Sequence, residues 1–233
     1  MSQFAELAYH VTPMGALSLR RRRMLSLDMD VLEVKLGEDF LMSSLFTAGE
    51  RALAHLAIEA APAGELDVLV GGLGLGYTAA AALDHARVRD LVVVEVLAEV
   101  IAWHQQGLVD LGPRLSGDSR CRLEQGDFFA MARNGEPPAP QRFHVVAVDI
   151  DHSTEAWLNA AHGDLYTEAG LRKLKPWLHP GGVFALWSDA APDAAFLSRL
   201  GCVFSRVEAT IVPFENPLRD AAESCTIYRA WAD

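Results

Sequence analysis

The apolar positions change their period along the chain, and each change marks an element. Residues 1 to about 16 carry no clear period and predict a loose arm. Asp30 to Leu36 (DVLEVKL) and Phe40 to Met42 flank the turn Gly37-Glu38-Asp39, so Leu17 to Met42 reads as a small β layer. So few short strands do not stand alone. From Thr47, Leu53, Leu56, Ala57 and Ala60 fall at helical spacing, with Thr47 as N-cap and Pro62-Ala63-Gly64 as the stop.

Beyond Gly64, short apolar runs alternate with helical stretches. Strands are predicted at Val68 to Val70, Leu91 to Val94, Arg122-Leu123, His144 to His152 and Val183 to Trp187. Helices are predicted after Thr78, around Ala98 to His104, around Glu168 to Leu178 with a stop at His179-Pro180-Gly181-Gly182, and over Asp193 to Leu200. Two closing segments, CVFSRVEATIVPF and SCTIYRAW, have the length and alternation of antiparallel strands. Uninterrupted apolar strands between helices predict an α/β chain with a mostly parallel, Rossmann-like central sheet and a C-terminal hairpin. The expected division is an arm and small β segment over 1–46 and one large domain over 47–233.

Composition narrows the function more than the fold. The 233 residues are 51% hydrophobic, enough to fill one α/β core. The opening MSQFAELAYH lacks the basic start and apolar stretch of a signal peptide, and no run reaches spanning length, so a soluble cytoplasmic protein with no membrane partner is expected. The three cysteines are widely spaced with no CxxC pair, which predicts incidental thiols and no metal. A formal net charge of -11 argues against nucleic acid and is compatible with a cationic small molecule. Arg20 to Arg23 reads as a solvated strand end or a site for an anionic partner.

Candidate chemistry gathers at predicted strand ends. Gly72, Gly74 and Gly76 lie between a strand and a helix, where backbone freedom permits a tight turn and close approach of a ligand. Nineteen residues after Gly76, Glu95 ends the next strand, where a carboxylate accepts both hydroxyl hydrogens of a ribose. Asp127, with Phe128 and Phe129 beside it, reads either as an acceptor for a purine amine with a ring beneath, or as a helix N-cap beside core phenylalanines. The fourth strand delivers Asp149, Asp151 and His152 to the same edge. His152 is a candidate proton acceptor, and Asp149 and Asp151 are candidate catalytic or orienting acids. Tyr166 and Trp187 read as pocket walls or as packing.

In this order, the motifs resemble the class I S-adenosylmethionine-dependent methyltransferase fold, and more closely the spermidine synthase (polyamine aminopropyltransferase) family, over roughly Leu17 to Trp187. The resemblance implies that Gly72, Gly74 and Gly76 wrap a sulfonium nucleoside, that Glu95 binds its ribose and that Asp127 binds its adenine. Where the family's loop reads GGGDGG, this one holds no acid. Where the fourth strand of the family ends DSSD, the final acid falls on His152. These departures predict a spermidine-synthase-like transferase that uses S-adenosylmethionine to methylate a small-molecule acceptor. The alternatives are an aminopropyltransferase using decarboxylated S-adenosylmethionine, with acids from elsewhere such as Asp151 or Glu50, and a nucleoside-binding protein without catalysis. A homodimer is implied by the resemblance alone.

Overall fold

The computed structural model describes residues 3–219 and 221–233. Its first sheet is an antiparallel meander of four strands, β1 (Phe4–Thr12), β2 (Gly15–Met24), β3 (Met29–Leu36) and β4 (Asp39–Ser43). The stretch expected as a loose arm is therefore strand from Phe4 onward, paired with β2 from Phe4↔Arg22 to Thr12↔Gly15; residues 1 and 2 of that expectation lie outside the described residues. Its period is hard to read because β1 is an edge strand whose residues alternate between exposed and half-buried rather than polar and apolar. Arg20 to Arg23 lie within β2, where Arg20 pairs with Glu6, Arg22 with Glu33, and Arg23 with Asp28 and Asp30. Cross-strand neutralisation accounts for most of that basic run.

The chain then enters α1 (Ala48–Ala60), and Thr47 stands at its N-cap position without a side-chain capping bond. There follow β5 (Leu66–Gly71), α2 (Tyr77–Leu83), β6 (Val88–Glu95), α3 (Ala98–Gln105), α4 (Gly112–Gly117), β7 (Cys121–Gln125), α5 (Phe128–Asn134) and β8 (Phe143–Val148). The last third contains α6 (Glu168–Leu174), β9 (Leu178–Ser188), α7 (Ala194–Gly201), β10 (Arg206–Asn216) and β11 (Ala221–Trp231). Helix α6 ends earlier than expected, because Pro176 cannot continue the backbone ladder; a 3₁₀ turn over Lys175–Trp177 follows, and the HPGG segment belongs to β9.

The second sheet runs β10-β11-β9-β8-β5-β6-β7, parallel from β9 to β7 and closed at one side by the antiparallel β10 and β11. Strand alternation sorts its side chains into two cores. Val68, Val70, Val93, Val145 and Ala147 face α1, α2 and α3, whereas Leu69, Val92, Val94, Val146 and Val148 face α5, α6 and α7. Parallel strands buried on both faces need apolar residues at every position, which is why these runs carry no polar break. Leu17, Leu19, Leu32 and Val34 of the first sheet join the core on the α1 side, so the small sheet packs where α1 enters the large one. Among the described residues no helix is long and apolar enough to cross a membrane.

Candidate active site

A cleft of about 330 Å³ opens at the C-terminal edge of the parallel strands, within the size range of small-ligand sites. The first sheet contributes Met14, Leu36, Leu41 and Met42 to its wall, so the small sheet helps to shape the cleft. Its floor is the glycine turn after β5. Gly72 has φ +97°, and a side chain there would collide with the carbonyl oxygen of Asp149. Gly76 has φ +91°, and a Cβ would lie 2.6 Å from Leu115 and 2.8 Å from His104. Gly72 and Gly74 line the cleft, while Gly76 and the buried Leu75 face protein. Beneath the turn, the buried His104 donates from Nε2 to the carbonyl of Gly74 at 2.9 Å, and burial lowers its pKa.

Glu95 closes β6 and faces the cleft, following Leu91 and Val93 on the α1 side of the sheet. Its carboxyl accepts from the N–H of Leu73 at 3.0 Å and of Leu97 at 2.9 Å, which ties it to the glycine turn. Burial raises its pKa, and the backbone donors of Leu97, Leu73, Gly74 and Val96 oppose that rise. Asp127 caps α5 by accepting from Ala130 at 2.9 Å and also lines the cleft. Phe128 packs edge-on against Trp177 and Phe129 in the core and also borders the cleft.

The three candidates after β8 separate. Asp149 continues the alternation of Val145 and Ala147, faces the cleft on the α1 side and accepts a hydrogen bond from the Thr78 hydroxyl. His152 also lines the cleft. Asp151 is turned away. Its side chain is 0% exposed and accepts from Leu158 N–H at 2.8 Å, His162 Nδ1 at 2.8 Å and Tyr166 hydroxyl at 2.9 Å. Asp151 therefore stands apart from Asp149 and His152: three donors enclose its carboxyl, and it is not among the residues lining the cleft. Tyr166 is occupied by the same bond and lies outside the cleft, whereas Trp187 lines it.

Beside Asp149, Glu50 projects from the first turn of α1 into the cleft. Burial, and then the neighbouring Asp149, push Glu50 up to about 8; burial likewise pushes Asp149 up to about 6 against the Thr78 hydrogen bond. Two carboxyl groups in one poorly solvated wall cannot both ionise cheaply. The lining thus holds four carboxyl groups, Glu50, Glu95, Asp127 and Asp149, with two histidines and no lysine or arginine. Tyr77 completes this wall, and the Arg51 guanidinium lies 5.2 Å from the centre of its ring.

Sequence reading did not single out Tyr77, His104, Asn159 or His162. Each is an isolated residue whose role depends on a neighbour more than twenty positions away or on the fold of the loop after β8. Asp67, His144 and His179, at the starts of β5, β8 and β9, bring one potential ligand atom each within 4.8 Å of the others. Arg89 already holds both carboxyl oxygens of Asp67, at 3.1 and 2.6 Å, and the Asp67 N–H donates to His144 Nδ1 at 3.0 Å.

Comparison with known proteins places this architecture. No family model matches the chain. Polyamine aminopropyltransferase 2 of Pseudomonas aeruginosa is 32% identical over 149 residues, which cover 61% of this chain and 41% of that protein. The matched stretch thus spans about two fifths of the curated relative's length. Among solved structures, spermidine synthase from Thermotoga maritima superposes with a TM-score of 0.74 at 18% identity, covering 98% of this chain and 73% of the other. A spermidine synthase in complex with the transition-state analogue AdoDATO gives 0.75 at 17% identity, covering 98% and 74%. The chain thus shares the fold of these spermidine synthases, and over 149 residues its sequence is similar to that of a polyamine aminopropyltransferase.

Proposed function

We propose that the chain transfers the aminopropyl group of decarboxylated S-adenosylmethionine to a small amine. The expectation of methyl transfer finds no support in the relatives, which are named for aminopropyl transfer or spermidine synthesis. The observation that carries the proposal is the cleft's lining, four carboxyl groups without a lysine or arginine. S-adenosylmethionine would bring its own carboxylate into that wall with no cation to meet it. The decarboxylated donor brings only a sulfonium and an ammonium, and the acceptor is also a cation. One charge-assisted hydrogen bond contributes about 1.5–3 kcal/mol, so a preference of roughly 10- to 100-fold for the decarboxylated donor follows.

In the reaction, the lone pair of a neutral amine attacks the methylene carbon attached to sulfur. The C–N bond forms as the C–S bond breaks, and its electron pair neutralises the sulfonium, releasing methylthioadenosine. The amine must first lose a proton from a cation whose pKa is about 10.4. Glu50 and Asp149 are the groups we assign to hold that cation and take the proton. An incoming ammonium favours their ionised form, which is the form able to accept the proton, while their raised pKa values narrow the gap to the amine's own. His152 borders the acceptor side as a second proton acceptor. Glu95 would hold the ribose diol and Asp127 the adenine amine.

The test is release of methylthioadenosine from the decarboxylated donor with putrescine and related diamines, run beside S-adenosylmethionine. Wild-type protein is expected to release it and to bind the decarboxylated donor more tightly. Glu50→Gln is expected to lower kcat/KM by about 10²-fold or more. No methylthioadenosine, or equal affinity for both donors, would overturn the proposal.

A further inference from the structure

The Asp151 carboxyl has one consequence inside the cleft. His162 is nearly buried, its ring lies parallel to Phe129 at 3.7 Å, and its Nδ1 is 2.8 Å from Asp151 Oδ1. An ionised carboxylate only accepts, so Nδ1 carries the hydrogen. Tyr166 and the Leu158 N–H hold the carboxylate in turn, at 2.9 and 2.8 Å, so it cannot follow the ring if the ring turns. Stacking fixes the plane, and the carboxylate fixes the rotation within it. In the neutral ring the remaining nitrogen, Nε2, is an acceptor, and the ring's hydrogen bond among the described residues is made by Nδ1.

His162 lines the cleft on the side of the sheet that carries α5, together with Asp127, Phe129, Leu158 and Asn159. Glu50, Tyr77 and Asp149 lie on the other side. The fixed acceptor therefore stands at the nucleobase wall rather than at the transferring group. We propose that His162, held by Asp151, determines base specificity: Nε2 accepts a hydrogen from the exocyclic amine of a 6-aminopurine, beside Asp127, and rejects a 6-oxopurine, which offers an acceptor to an acceptor. This rests on the reading of the cleft as an adenosyl site. A fixed single nitrogen distinguishes the two bases without any charge, and the paired ring cannot swap tautomers to accommodate the wrong one.

Calorimetry with methylthioadenosine and methylthioinosine tests the proposal on wild type and on His162→Phe, which retains a ring to stack on Phe129. Wild type is expected to favour the amino compound, and His162→Phe to shrink that ratio about tenfold, by weakening the amino compound and relieving the repulsion of the oxo compound. An unchanged ratio with both nucleosides bound would overturn the role of His162 and leave the adenosyl site standing. Binding of neither nucleoside by wild type would overturn both. Should His162→Phe fail to fold, nitrogen NMR of wild type decides. Protonation at Nδ1, with an Nε2 signal that moves on adding methylthioadenosine but not on adding methylthioinosine, is expected; an unmoved Nε2 sinks the idea.

Discussion

Asp149 and Asp151 stand two residues apart after the same strand, and the protein treats them in opposite ways. Asp149 lines the cleft beside Glu50, with one hydroxyl donor from Thr78 and no lysine or arginine in the lining. Asp151 sits in the protein interior, enclosed by a backbone N–H, an imidazole and a phenol. The first arrangement leaves charge unmet and so keeps it available to a ligand. The second satisfies it with protein and so converts it into position. A carboxyl's use thus depends on what donors the fold supplies, and two residues of chain direction are enough to reverse it.

The largest expected consequence is in the pH dependence of stability. Unfolded Glu50 titrates near 4.5 and folded Glu50 near 8; Asp149 moves from 3.8 to about 6. Between those values the folded state holds protons that the unfolded state has lost, so both groups withdraw stability as pH rises through the window. A tenfold difference in proton affinity between the two states corresponds to about 1.4 kcal/mol. The lowered groups Asp118, Asp193 and Asp233 act in the opposite sense and below that window, as pH falls. Glu50→Gln is therefore expected to have a flatter Tm profile than wild type from pH 5 to 8, and a higher Tm at pH 8. Parallel profiles would mean that Glu50 and Asp149 are not the strained pair described.

Next in size is the contrast between the two aspartates themselves. Asp151→Asn places an amide against three donors and is expected to cost about 2–4 kcal/mol in urea unfolding at neutral pH. Asp149→Asn retains an acceptor for Thr78 and removes a buried charge, so it is expected to be neutral or stabilising. Equal losses in the two variants would erase the distinction.

The smallest effect is expected at Gly74 in the glycine turn. An added Cβ at Gly74 meets Met42 Sδ, the mobile end of a side chain from the first sheet. Gly74→Ala should cost about 1 kcal/mol and be partly relieved by Met42→Ala. Gly72→Ala meets the fixed carbonyl of Asp149 instead and should not be relieved by any change at Met42. Relief of both by Met42→Ala would contradict the packing around the turn.

Much of this was legible from residue order. Uninterrupted apolar runs marked β5, β6 and β8 as buried parallel strands, since only such strands need apolar side chains on both faces. Glycines followed by an alanine-rich run, with Glu95 ending the next strand, located the cleft, because parallel strands in one sheet deliver their ends to one edge. β1 escaped notice because an edge strand half-exposed on both faces has no need of a strict period.

Sequence by itself determined which strands are buried and which carboxyl groups can reach the shared edge, because burial and strand period are local properties of the chain. Tertiary structure alone decided which of those groups remain chemically free. Glu50 meets Asp149 only when α1 is laid beside β8, and His162 meets Asp151 only when the loop after β8 folds back. Local pattern cannot encode either encounter, since a charged group's solvation depends on every neighbour the fold brings within hydrogen-bond reach.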